Sequence, residues 1–196
     1  PKSSWNTGRN KLYEVASQKD YEYFIFLDDD IIASQTEFKN VNPFRYLEAM
    51  LLKYKPAGAV GNFDWHFGNE RIFKEEIQTI YMNDACLYAM HREAAKKVLP
   101  YWTKWDTISW WRSQYVLCQL MHAHFPQSTI QFNKLWVKNI LHDEYPRDIN
   151  NYLMCDEELA EILTAEQMAI YKPYAEILYK NDGEFIPLDF YLQTAE

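Results

Sequence analysis

Apolar and polar residues alternate along this chain in blocks that read as strands and helices by turns. The sharpest block is Tyr23-Phe24-Ile25-Phe26-Leu27, which ends abruptly in Asp28-Asp29-Asp30. Four consecutive apolar residues behind a tyrosine predict a strand buried on both faces, as parallel strands in α/β proteins are. Residues 59–63 and 85–90 read as further buried strands and 79–82 as another; 128–132 and 135–137 read as two strands around a short turn. Helical spacing of apolar residues predicts a short helix over 11–16 capped by Asn6 or Thr7, then helices over 44–54, 91–98 and 110–122. Pro43, Pro100 and Pro126 punctuate these helices. The stretch from the three acids to Asn42 reads as a polar connection, and Asp64 to Asn69 as a polar-aromatic loop. From Asp156 onward amphipathic helical patterns recur. The pattern predicts an α/β core over residues 1–150 and a helical extension over 151–196 packed on it, with no internal repeat.

Composition narrows the function classes. The 196 residues suffice for one domain with a sizeable core. A net charge of −8 argues against binding nucleic acid through a basic surface. No apolar run is long enough to span a membrane and no signal peptide is visible, which favours a cytoplasmic location. The chain begins with Pro and not Met, so loss of a preceding segment, and with it an anchored or lumenal context, stays open. Cys86, Cys118 and Cys155 are odd in number and widely spaced, against a disulfide framework or a structural zinc site. Aromatics reach 17%, enough to stack on sugar rings as well as to fill a core.

Three adjacent carboxylates repel one another and prefer water, so they belong where the strand leaves the sheet. That is where open α/β sheets place their ligands. A hard divalent cation, Mn²⁺ or Mg²⁺, would relieve the repulsion, and such ions bind through one or two carboxylates plus substrate phosphates. In an extended segment alternate residues share a side. Asp28 and Asp30 would then face the ligand, and Asp29 would turn inward to a base such as Arg9. The plainer alternative is a solvated acidic turn.

Four features in order resemble the GT-A class of nucleotide-sugar glycosyltransferases, over about residues 7–147. Gly8-Arg9-Asn10 lies ahead of a buried strand, and Phe26-Leu27-Asp28-Asp29-Asp30 resembles the DXD motif. Asn83-Asp84 leads into residues 85–94, which resemble the segment beside the donor sugar. Trp105-Asp106 precedes an amphipathic helix and a strand pair ending in His142. The resemblance implies a GT-A-like mixed, mostly parallel sheet flanked by helices. It also implies transfer of a sugar from a nucleotide donor, a UDP-sugar favoured, to a hydroxyl acceptor. In that reading Arg9, Asn10, Asp28, Asp29 and Asn83 bind the donor, and Asp28, Asp30 and His142 hold the metal. Asp106 is the candidate catalytic base with Asp84 its rival, and Trp105 and Trp110 take a carbohydrate acceptor. The chain departs from the family in having only 27 residues before Asp28, where two further βα units normally stand, and in carrying Trp-Asp for the acidic motif. A nucleotidyltransferase of similar topology and a non-catalytic carbohydrate-binding module are the alternatives.

Overall fold

The computed structural model describes residues 3–38, 40–63, 75–140, 146, 159–169 and 184–194. The elements are α1 (Trp5–Ala16), β1 (Tyr23–Leu27), β2 (Ile31–Gln35), α2 (Pro43–Tyr54), β3 (Gly58–Phe63), β4 (Ile77–Thr79), β5 (Leu87–His91), α3 (Arg92–Val98), α4 (Trp110–His124), β6 (Thr129–Asn139) and α5 (Leu188–Thr194). A further helical stretch covers 165–169.

One mixed sheet runs in the order β1-β5-β3-β6-β2, and β4 also pairs with β6. Its two layers of core follow from alternation along the interior strand β5. Tyr88 and Met90 face one side with Phe24, Phe26 and the buried faces of α3 and α4. Leu87 and Ala89 face the other with Ile130, Phe132 and Val137, beneath Tyr46, Leu47, Met50 and Leu51 of α2. Leu159, Leu163 and Leu188, from the region beyond residue 150, are buried in the first of these layers.

The expectation of a mostly parallel sheet is not met. Among the described strands only β3 and β6 pair in parallel, while β1–β5, β3–β5, β2–β6 and β4–β6 are antiparallel. An apolar run reports burial and carries no information on strand direction. β1, β3 and β6 nevertheless run the same way, because antiparallel β5 lies between β1 and β3. β1 is not buried on both faces either. It stands at the end of the strand order, with Phe24 and Phe26 buried and Ile25 and Leu27 exposed.

β2 falls in the stretch expected to be a polar connection, and its position bends the sheet. Leu27 and Ile31 are four residue steps apart, a reach of at most roughly 14 Å. In a flat sheet their strands, four places apart in the order, would be separated by roughly 19 Å. The sheet therefore curls at the end where the three acids lie. β6 makes this possible as one long strand where two were expected. Its pairing with β3 jumps from Gly61↔Phe132 to Asn62↔Trp136, while β4 takes the first half of its far edge and β2 the second. Gly61 sits at that bulge because a Cβ there would lie 2.4 Å from Val137 Cγ2 and 3.0 Å from the Leu135 carbonyl oxygen.

Two boundaries also moved. The first helix begins at Trp5, capped by Ser4, whose hydroxyl accepts from the Thr7 N–H. The strand expected over 79–82 is β4, a few residues earlier. No helix among the described residues is long and apolar enough to cross a membrane.

Candidate active site

The acidic turn is pinned at both ends by backbone hydrogen bonds. The Asp28 N–H donates to the Cys86 carbonyl at 2.9 Å, extending the β1–β5 ladder past β1. The Asp30 carbonyl accepts from the Ile140 N–H at 2.9 Å, just beyond β6. The three acids thus lie between the segment leading into β5 and the segment leaving β6. This is the edge at which the codirectional strands β1, β3 and β6 all end.

The side chains are arranged differently from the expected alternation, because residues 29 and 30 form a turn and not an extended segment. Asp28, not Asp29, takes the arginine. Its Oδ1 accepts from Arg9 Nη2 at 2.5 Å and from the Trp5 indole N–H at 3.1 Å. Asp29 is exposed and Asp30 partly buried. Arg9 itself is buried, donates to the Ala85 carbonyl at 2.8 Å and to the Tyr101 hydroxyl at 3.4 Å, and stacks 3.9 Å over the Trp5 ring. It therefore joins β1, the lead into β5 and the segment before α4, and it compensates one of the three carboxylates.

Asp106 is reached by the same helix. Its carboxylate accepts from the Ser4 hydroxyl, from Asn6 Nδ2 at 2.5 Å and from the Thr7 hydroxyl at 3.3 Å. It does not cap α4, whose N-cap is Ser109. Three donors and the first turn of α1, whose free N–H groups favour an anion, hold it as a tether. Both of its oxygens are thus engaged by protein groups. Asp84 differs: one oxygen accepts from the Cys86 N–H at 2.8 Å, forming the turn that starts β5, and the residue is exposed.

The remaining expected residues divide between structure and site. Asn10 is not turned to a ligand but exchanges two bonds with the backbone of Tyr101, at 2.8 and 2.7 Å. Asn83 accepts from the Cys118 thiol at 3.1 Å and donates to the Asp84 carbonyl, also at 3.1 Å. Trp105 is fully buried against Trp102, which excludes it from stacking on an acceptor. Trp110 is half-buried, with its indole N–H on the Asp106 carbonyl at 2.9 Å. Cys86 and Cys118 are buried free thiols. Burial raises both, Cys118 to about 12, so neither is a thiolate at neutral pH. His142 lies outside the described residues.

Sequence reading missed Ser4 and Trp5, and took Asn6 for a cap where it binds Asp106. Ser4 three residues before Thr7 is a legible cap signal, but Gly8 inside the helical pattern hid the helix that follows it.

Among the described residues no group of three His, Cys, Asp or Glu is placed to cage a metal. The oxygen-only set at the turn suits a hard ion that keeps substrate phosphates and water as its other ligands. No protein-family model matches the chain, and comparison with curated proteins and with solved structures finds no match.

Proposed function

We propose that the chain is a glycosyltransferase that uses a nucleotide-diphosphate sugar, a UDP-sugar in the first instance, with Mn²⁺ or Mg²⁺ at the acidic turn. The observation that carries this reading is the placement of Asp28 to Asp30 at the shared end of β1, β3 and β6, with the lead into β5 bonded alongside. Asp30 and the second oxygen of Asp28 are the proposed ligands, with His142 as a third to be tested by substitution. When bound, the ion would neutralise charge on the diphosphate leaving group. Arg9 positions Asp28 and is not itself a donor ligand, since its guanidinium is spent on protein groups. Asp84 replaces Asp106 as the proposed base. In the inverting form of the reaction the acceptor hydroxyl attacks the anomeric carbon, its proton passes to the Asp84 carboxylate, and the bond to the diphosphate breaks. Trp110, partly buried with its indole N–H on the Asp106 carbonyl, is the proposed contact for a carbohydrate acceptor.

Calorimetry with UDP and with GDP, each with and without Mn²⁺, tests the reading. The expected result is Mn²⁺-dependent binding of UDP that weakens at least about tenfold, or about 1.4 kcal/mol, in Asp30→Ala. Asp84→Asn is expected to keep that binding. Absence of nucleotide binding, or binding indifferent to Mn²⁺ and to Asp30→Ala, overturns it.

A further inference from the structure

β1 ends the strand order, and the hydrogen-bond phase of its pairing with β5 shows what its open edge presents. The Arg92 N–H donates to Glu22 at 2.8 Å and the Asp28 N–H to Cys86 at 2.9 Å. Both pairs obey the register in which Tyr23 faces His91 and Leu27 faces Leu87. In an antiparallel ladder bonded pairs recur every second residue. Glu22, Phe24, Phe26 and Asp28 therefore turn their backbone groups to β5, and Tyr23, Ile25 and Leu27 turn theirs away from it. No described strand meets those outward groups.

The same residues carry the exposed side chains. Leu87 and Ala89, directly across on β5, are buried beneath α2, but Ile25 and Leu27 remain 42% and 44% exposed. Tyr23 is covered, its hydroxyl donating to the Pro56 carbonyl at 3.0 Å. The strand has none of the usual protections of an edge: no Pro, no Lys and no bulge in residues 23–27.

We infer that the β1 edge is a docking site for an extended peptide strand of another protein, apolar at alternate positions and basic at its ends. Strand addition supplies main-chain bonds to Tyr23, Ile25 and Leu27, while side chains on one face of the incoming strand cover Ile25 and Leu27. Charge selects the ends. Glu22 stands exposed before the strand and Asp29 exposed after it. A second copy of this chain is a poor occupant. Its own β1 is flanked by Glu22 and by Asp28-Asp29-Asp30, so it would bring acidic and not basic ends to the pairing. This inference stands apart from the proposed transfer reaction: of the acidic turn it uses Asp29 alone, which is not among the proposed metal ligands.

Residue-resolved amide exchange tests it. The probe is a synthetic peptide of alternating Val and Thr with two Lys at each end, and the control carries Glu in place of Lys. In the free protein the Ile25 amide is expected to exchange faster than those of Phe24 and Phe26. Saturation with the Lys peptide should slow Ile25 and Leu27 by at least about tenfold and leave Phe24 and Phe26 unchanged. The Glu peptide should bind at least about tenfold more weakly. Ile25→Lys, at an exposed position, should abolish binding without lowering the thermal midpoint. Slow exchange of Ile25 in the free protein would show the edge already filled. That result, equal affinity for the two peptides, no binding of either, or a dimer dissolved by Ile25→Lys, overturns the inference.

Discussion

Arg9→Met removes the group on which the candidate site is hung, and its cost can be worked from the contacts. The buried guanidinium has one charge-assisted bond to Asp28 at 2.5 Å, two weaker bonds to Ala85 and Tyr101, and a face-on contact with Trp5 at 3.9 Å. A hydrogen bond to a charged group contributes about 1.5–3 kcal/mol, and the cation–π contact about 0.5–1 kcal/mol. Breaking a fully buried pair costs about 3–5 kcal/mol, but the Asp28 side chain is 26% exposed and water will relieve part of that. The expected loss is about 2–4 kcal/mol, which at a urea slope of about 2 kcal/mol/M lowers the midpoint by about 1–2 M. Asp28→Asn alone should cost about 1–2 kcal/mol, and the double variant should fall short of the sum by at least about 1 kcal/mol. Urea unfolding of the four proteins at neutral pH measures the cycle. Additive effects, or a loss below about 0.5 kcal/mol in Arg9→Met, refute the account of Arg9 as the clamp of the acidic turn.

Two further outcomes are expected. His122 is buried, stacks on Tyr81 and donates its Nε2–H to the Tyr81 carbonyl at 2.7 Å; burial holds its imidazole down from 6.5 to about 4. Between those values the unfolded chain takes up a proton that the folded chain refuses. The stability this group supplies is thus complete above pH 6.5 and is lost as pH falls towards 4, by up to about 3 kcal/mol. Unfolding measured across that window should show an acid limb that flattens in His122→Phe, and an unchanged limb refutes the assignment. Gly61→Ala places a methyl against Val137 and the Leu135 carbonyl at the β3–β6 bulge and should cost about 1–3 kcal/mol by denaturant midpoint. A loss below about 0.5 kcal/mol would show that the bulge yields.

Much of the candidate site was legible because its parts are chemically loud in one dimension. An apolar run ending in three acids fixes a strand end, and Asn83-Asp84 before another apolar run fixes the turn that enters β5. Arg9 near the turn was also foreseen, but its partner was not. Assigning it to Asp29 assumed an extended segment, and the chain turns at Asp29. Trp105 shows the limit from the other side. Tryptophan is as suited to a core as to a sugar, and nothing local separates the two.

The sequence by itself determined what periodicity and punctuation encode: an α/β chain, four of its helices, most of its strands and the place of the acids at a strand end. Those features depend on residues within a few positions of one another. Tertiary structure alone decided strand direction, the place of β1 at an edge and the curl that closes β2 onto β6. It also decided the division of labour between Asp84, left exposed, and Asp106, tied to the first turn of α1. Each of these depends on groups distant in the chain, 102 positions apart in the case of Ser4 and Asp106, meeting in space. Local pattern carries no record of such meetings.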